Sequence, residues 1–86
     1  MKIRIPSPLR SYTKQQSEVS GSGSSLWEVL ADLDKNYPGI RFRMIDEQDG
    51  IRQHIKFFVN NEETEKLDQP VAETDTVHII CALSGG

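Results

Sequence analysis

The residues best suited to chemistry stand at the end of the sequence, where Leu83-Ser84 lead into a Gly85-Gly86 pair. Glycine has no Cβ, so consecutive glycines reach backbone angles closed to other residues and lie flat in a narrow channel. The carboxylate of Gly86 can therefore enter a partner's active site that no ordinary side chain would fit. A frayed terminus is the alternative interpretation, and the elements that precede the tail decide between the two.

Composition indicates one small globular domain. The chain has 86 residues, of which 36% are hydrophobic and 27% charged, and a chain this short buries a thin core. We expect a single domain over residues 1–81, followed by a flexible Gly-Gly tail over 82–86. The net charge is −3 and Lys and Arg are dispersed, so the sequence does not indicate a nucleic-acid-binding surface. No apolar run is long enough for a membrane span. A single cysteine and no signal-peptide pattern favour the cytoplasm.

The other reactive side chains do not form a catalytic or metal site. The acidic turn Asp46–Gly50 lacks the ligand spacing of an EF-hand. Cys81 falls on the inward side of its strand and is expected to be a small buried hydrophobe. His54 and His78 lie on strands that can neighbour each other, but two histidines without further ligands do not make a zinc site. We predict that the chain is not an enzyme, and that it binds no cofactor or metal.

One helix is strongly predicted. Ser25 and Glu28 have the spacing of a capping box, and Pro38-Gly39 ends the segment. The Ser/Gly-rich stretch before Ser25 resembles a linker in composition, but we interpret it as a loop leading into the helix. A continuous apolar stripe follows the cap, formed by Leu26, Val29, Leu30, Leu33 and Tyr37.

Alternation of apolar and polar residues predicts five strands. A hairpin through Arg10–Lys14 would join the first two, a turn over Asn60–Glu63 would precede the fourth, and a helical turn would occupy Ile40–Ile45. The strands fall at residues 2–5, 15–20, 54–59, 64–67 and 76–82.

The last strand has two distinct sides. Val77, Ile79 and Cys81 should face the core, whereas His78 and Ile80 should face outward. Phe58 would lie on the same outer face as Ile80, together with Lys56 and His54. Single surface hydrophobes are normal, but we predict that Phe58, Ile80, Lys56 and His78 form a docking surface, because the strand that carries Ile80 also carries the tail.

The predicted order, β-β-α-(turn)-β-β-β, gives an α+β architecture. One amphipathic helix needs one sheet face to cover it. We expect a mixed sheet of four to five strands gripping the helix, with the first and last strands paired in parallel at its centre.

Taken together, these features resemble the β-grasp, ubiquitin-like sulfur carriers of the MoaD/ThiS family, and most closely the carriers of cysteine biosynthesis. The resemblance spans essentially the whole chain and departs from the family at Glu73-Thr74-Asp75 and at Cys81-Ala82. Its motifs are Ile5-Pro6 with Leu9-Arg10, the helix Leu26–Tyr37, Pro38-Gly39-Ile40, Phe58-Val59-Asn60, and Val77-His78-Ile79 running into Gly85-Gly86.

The resemblance implies a carrier whose terminal carboxylate is the reacting group. An E1-like enzyme of the MoeB/ThiF type would adenylate Gly86 with ATP, and a sulfur donor would displace AMP to leave a thiocarboxylate. Gly85, Ser84 and Leu83 would thread the partner's active site. A sulfur-accepting biosynthetic enzyme would be the second partner, and a sulfurtransferase or a metalloprotease that trims a precursor would be further ones.

Three alternative functions are compatible with the same sequence. A ubiquitin-like modifier would join Gly86 to lysines after the same adenylation, and the small subunit of molybdopterin synthase would also carry a thiocarboxylate. A binding module with an incidental Gly-Gly would not need Gly86 at all.

Overall fold

A computed structural model describes residues 1–82. They form a sheet of five strands, two α-helices and one 3₁₀ helix. The elements, in chain order, are β1 (Lys2–Arg4), the 3₁₀ helix (Ser7–Thr13), β2 (Glu18–Ser20), α1 (Leu26–Asn36), α2 (Ile40–Met44), β3 (Ile55–Val59), β4 (Glu62–Thr64) and β5 (Thr76–Cys81).

The sheet has the strand order β2-β1-β5-β3-β4. Strands β1 and β5 are parallel, with Ile3 opposite Val77, and the other neighbouring strands are antiparallel. The predicted mixed sheet with a central parallel pair is therefore confirmed, and it is the β-grasp arrangement. Within residues 1–82, no helix is long and apolar enough to cross a membrane.

The backbone N–H groups in the first turn of α1 donate hydrogen bonds to three separate acceptors. Ser25 Oγ accepts a hydrogen bond from the Glu28 backbone N–H at 3.2 Å, as the capping box predicts. The Glu28 carboxylate accepts from the Ser24 N–H at 3.1 Å, one residue earlier than in the standard box. The N–H groups of Leu26 and Trp27 donate to the carbonyls of Gln69 and Leu67, so α1 begins against the segment that follows β4.

The core lies between α1, α2 and one face of the sheet. The apolar stripe of α1 faces alternate residues of the strands, which is the packing that a single sheet face and an amphipathic helix require. Val59 is half-buried, and Tyr37 and Cys81 pack at the margin of the core. The buried hydrophobic residues are Ile3, Ile5, Leu9, Val19, Leu26, Val29, Leu30, Leu33, Ile40, Met44, Ile45, Ile55, Phe57, Val77 and Ile79.

The predicted hairpin through Arg10–Lys14 is wrong. A 3₁₀ helix over Ser7–Thr13 connects β1 to β2 instead, and β2 is correspondingly shorter than residues 15–20. Proline at the start of this helix is favoured because its fixed φ suits a first helical turn. The buried Thr13 hydroxyl contacts the carbonyls of Arg10 and Gln16, which holds the connection in its compact form.

The fourth strand lies earlier than the sequence predicted. Asn60 adopts a left-handed φ of 57°, so the chain reverses within two residues and β4 begins at Glu62 rather than Thr64. Residues 65–69 then leave the sheet and supply the acceptors for the start of α1. The predicted helical turn over Ile40–Ile45 is confirmed as α2.

Candidate functional site

The residues assigned to chemistry, Gly86, Gly85, Ser84 and Leu83, lie outside the described part of the chain. The structure does fix the point from which they extend. β5 ends at Cys81 and lies between β1 and β3. The N–H of Ala82 donates to the carbonyl of His54 at 2.8 Å, so backbone pairing with the β3 side continues through Ala82.

The four residues proposed for docking are neighbours on the outer face of the sheet. Lys56 is opposite Ile80 and Phe58 is opposite His78 in the antiparallel β3–β5 pair. Directly paired residues project to the same side of a sheet. Ile80 is 42% exposed, whereas Phe58 and His78 are half-buried.

Strand pairing also places charged residues next to His78 and Phe58 on this outer face. Arg4 is opposite His78 in the parallel pair, and Glu63 is opposite Phe58. Arg4 also lies 3.8 Å from the carboxylate of Glu18 across the β1–β2 pair. The sequence could not reveal Arg4 and Glu63 as neighbours of the docking residues, because their positions depend on the register of strands distant in the chain.

The two histidines do not meet. His78 pairs with Phe58, whereas the carbonyl of His54 accepts from Ala82 at the other end of the same strand pair. With a rise of about 3.3 Å per residue, this separation is roughly 13 Å along the strands. Residues 1–82 contain no group of three or more His, Cys, Asp or Glu side chains that could hold a metal.

Cys81 is partly buried and packs against the margin of the core. Cys81 lines a small surface depression together with Tyr12, Arg43 and His54. This depression lies where β5 ends, beside the point from which the tail extends.

A second exposed surface surrounds α2. Phe42 is 54% exposed and Trp27 is 38% exposed. An arginine is stacked on each ring, with 4.5 Å from Arg41 Cζ to the Trp27 centroid and 4.7 Å from Arg52 Cζ to the Phe42 centroid. We call this region the arginine–aromatic surface, and it comprises Tyr12, Trp27, Arg41, Phe42, Arg43 and Arg52.

Arg43 completes the surface through its contact with Tyr12. Its Nε donates a hydrogen bond of 2.7 Å to the Tyr12 hydroxyl, and this bond is the main cause that raises the pKa of Arg43 above its ordinary value. The guanidinium is also 5.9 Å from the centre of the Tyr12 ring. The sequence contains one local signal of this region, the alternation of charged and aromatic side chains in Arg41-Phe42-Arg43.

A five-stranded mixed sheet with a parallel central pair, one main helix packed across it and a last strand leading to Gly-Gly define a ubiquitin-like β-grasp protein. A sequence model described as the ThiS family matches residues 3–86. The chain belongs to the ThiS family, which confirms the resemblance inferred from the sequence.

Individual relatives agree with this assignment. The chain is 36% identical over 89 aligned residues to the sulfur carrier protein CysO of Mycobacterium tuberculosis, covering 98% of this chain and 96% of the relative. The crystal structure of M. tuberculosis CysO matches with a TM-score of 0.88 and 33% identity, covering 95% of this chain and 98% of that one.

Two further structures extend the comparison. The Amycolatopsis orientalis BexX/CysO complex contains a chain that matches with a TM-score of 0.91 and 28% identity, covering 99% of this chain and 98% of that one. The small archaeal modifier protein 1 of Methanosarcina acetivorans matches with a TM-score of 0.82 at 22% identity, covering 99% of this chain and 94% of that one. This last likeness shows the shared fold alone.

Proposed function

We propose that this chain is a sulfur carrier protein whose Gly86 is adenylated by an E1-like enzyme and converted to a thiocarboxylate. The observation that carries the proposal is the 36% identity to the sulfur carrier CysO over nearly the full length of both chains, in a chain with Gly85-Gly86 at the matching end. The resemblance of the sequence to cysteine-biosynthesis carriers points to the same type of sulfur transfer.

The chemistry needs activation because a carboxylate, ionised at neutral pH, is a poor electrophile. A carboxylate oxygen of Gly86 attacks the α-phosphorus of ATP, and pyrophosphate leaves. A hydrosulfide-level donor then attacks the carbonyl carbon, and AMP leaves with the electrons of the C–O bond. The product is a thiocarboxylate at Gly86, and the partner supplies the site that binds ATP for the first step.

The carrier's own residues supply position rather than catalysis in this proposal. The base of the tail is held at the end of the central strand β5, where the Ala82 N–H donates to the His54 carbonyl. Leu83, Ser84 and Gly85 are the lead that threads the active site. Phe58, Ile80, Lys56 and His78 form the docking face, since the exposed Ile80 lies on the strand that continues into the tail.

We assign two partners by this chemistry, an E1-like adenylating enzyme of the MoeB/ThiF type and a biosynthetic enzyme that accepts the sulfur. The complex of BexX with CysO from A. orientalis supports the idea that a carrier of this kind assembles with a second protein. A sulfurtransferase as donor and a metalloprotease that trims a precursor fit the same scheme, which we place in the cytoplasm.

The test is the intact mass of the chain after incubation with the E1-like enzyme, ATP and a sulfide source. We expect a mass gain equal to the replacement of one oxygen by sulfur. Omission of ATP and deletion of Gly86 should each abolish the gain. An unchanged mass, with the cognate E1-like enzyme confirmed to be active, would overturn the proposal.

The fate of Gly86 and of its sulfur separates the alternative functions. A ubiquitin-like modifier would give isopeptide adducts on lysines that also require Gly86. A passive binding module would be unaffected by deletion of Gly86. A molybdopterin synthase subunit would acquire the sulfur but pass it only to a molybdopterin precursor.

A further inference from the structure

The guanidinium groups of the arginine–aromatic surface are held in place by contacts within the chain. The Nε atoms of Arg43 and Arg52 donate to the Tyr12 hydroxyl and the Phe42 carbonyl, each at 2.7 Å. Neither arginine donates a hydrogen bond from its terminal Nη groups to another residue in 1–82. Arginine in this state presents a fixed pair of donors that suits a carboxylate.

The positive charge on this surface is mostly unbalanced. Asp49 lies 3.7 Å from Arg41, whereas Arg43 and Arg52 have no carboxylate within 4.0 Å among the described residues. The chain as a whole has a net charge of −3, so these arginines form a local group of cations on an acidic protein.

An apolar side chain lies among these cations. Phe42 is 54% exposed, more than Trp27 or Ile80. Exposed aromatic rings next to arginines match the residue types that contribute most to binding at protein interfaces. The combination indicates a partner segment that supplies carboxylates around an apolar contact.

One edge of the arginine–aromatic surface, formed by Arg43 and Tyr12, lies beside the base of the tail. Arg43 and Tyr12 line the same depression as Cys81 and His54, and β5 ends at Cys81. Four residues, 83–86, follow Ala82, and four extended residues reach at most about 14 Å. An enzyme that holds Gly86 in its active site must therefore bring its surface close to Ala82, and so to Arg43 and Tyr12.

We propose that the arginine–aromatic surface binds an acidic segment beside the active-site entrance of the enzyme that adenylates Gly86. This inference rests on the proposed function. It adds a contact on the helix side of the carrier to the docking face on the outer side of the sheet, so that the partner grips the base of the tail from both sides.

The test measures ATP–pyrophosphate exchange by the E1-like enzyme as a function of carrier concentration. The double variant Arg43→Glu/Arg52→Glu should raise the KM for the carrier about tenfold, since charge reversal at an interface weakens encounter with a complementary partner. The kcat should stay within about twofold, because the tail that reaches the active site is unchanged. Added KCl should raise the wild-type KM and change the variant KM little.

Three controls accompany this measurement. Lys35→Glu makes a charge reversal of the same kind at an exposed residue of α1 outside the surface, and should leave the KM near the wild-type value. Arg43→Lys/Arg52→Lys keeps the charge but loses the forked donors, and should give an intermediate KM. Thermal unfolding checks that each variant is folded, and the single variant Phe42→Ser, at an exposed position, replaces the double variant if that one does not fold.

The outcomes separate this inference from the proposed function. No exchange with the wild-type carrier and a competent enzyme would overturn both. Exchange with the wild-type carrier and an unchanged KM for the folded variants would overturn the contact surface alone. A Lys35→Glu variant as weak as the double variant would also overturn it, because the effect would then follow total charge rather than this surface.

Discussion

The side-chain amide of Asn60 donates a hydrogen bond of 3.0 Å to the carboxylate of Asp75. The Asn60 side-chain oxygen in turn accepts from the N–H of Thr76 at 3.0 Å, and the Asn60 N–H donates to the Thr76 carbonyl at 2.8 Å. Thr76 is the first residue of β5. The turn between β3 and β4 therefore fixes where the strand that leads to the tail begins.

Replacing Asn60 should separate the contribution of its side chain from that of its backbone angle. Asn60→Gly keeps access to the left-handed φ of 57° but loses both side-chain hydrogen bonds, and should lower the free energy of unfolding by about 1–2 kcal/mol. Asn60→Ala loses the bonds and also strains the backbone, which costs about 1 kcal/mol more. Urea unfolding of the three proteins measures both differences. Equal stability of the Ala and Gly variants would show that the left-handed angle is not retained.

Asp75 should make folding stability depend on pH. The backbone N–H of Ala72, which donates at 2.8 Å, and then the Asn60 amide lower the pKa of the Asp75 carboxyl below its ordinary value. A carboxyl whose pKa is lower in the folded state stabilises the fold above its unfolded pKa, and the stabilisation is lost as the pH falls through the folded value. The excess stability of the wild type over Asp75→Asn should therefore be full near neutral pH and shrink below about pH 4.

Denaturant unfolding of the wild type and Asp75→Asn between neutral pH and pH 3 measures this change. Asp68→Asn is the matched control, since it removes the charge of an exposed aspartate in the segment after β4. An Asp75→Asn difference that stays constant over the pH range would mean that the carboxylate form is not the one that accepts these bonds.

Gly23 should tolerate no side chain. Its φ is 153°, and a Cβ there would lie 2.8 Å from the Val29 backbone nitrogen and 2.9 Å from the Glu28 Cβ. Gly23→Ala must push the loop away from the first turn of α1, at a cost of about 1–3 kcal/mol. Ser22→Ala changes the neighbouring exposed residue without a clash and should unfold like the wild type. If Gly23→Ala is as stable as Ser22→Ala in urea, the loop does not lie against α1 as described.

The sequence was most informative where burial follows a regular period. The stripe through Leu26, Val29, Leu30 and Leu33 predicted α1, and alternation predicted the cores of β1, β3 and β5. Prediction was wrong where a single residue decided the path of the chain. The left-handed angle of Asn60 moved β4, and the buried Thr13 hydroxyl, within hydrogen-bond distance of two backbone carbonyls, maintains a 3₁₀ helix in place of a hairpin.

The candidate sites differ in the same way. The outer face could be predicted because Phe58 and Ile80 occupy outward-facing positions of two regularly alternating strands. The Arg41-Phe42-Arg43 alternation marks one part of the arginine–aromatic surface, but the assembly of the whole surface could not be predicted, because its contacts join residues far apart in sequence. Tyr12 and Arg43 are 31 residues apart, and no local pattern reports such a pairing. The tail assignment stays a prediction, since residues 83–86 lie beyond those described.

Adjacent residues of β5 should separate folding from docking. Ile79 is 2% exposed and Ile80 is 42% exposed, because successive strand residues face opposite sides of the sheet. Ile79→Ala should lower the free energy of unfolding by about 2–5 kcal/mol, whereas Ile80→Ala should lower it by about 1 kcal/mol, mainly through the lower strand propensity of alanine.

The functional effects should run the other way. Ile80 lies beside Lys56 on the outer face. The Ile80→Ala substitution should raise the carrier concentration needed for half-maximal adenylation, because it removes an apolar contact with the partner. Urea unfolding and the pyrophosphate-exchange assay give the two readouts on the same samples. If Ile80→Ala is folded and adenylated like the wild type, the outer face does not dock the enzyme, and the helix side of the molecule must hold the partner alone.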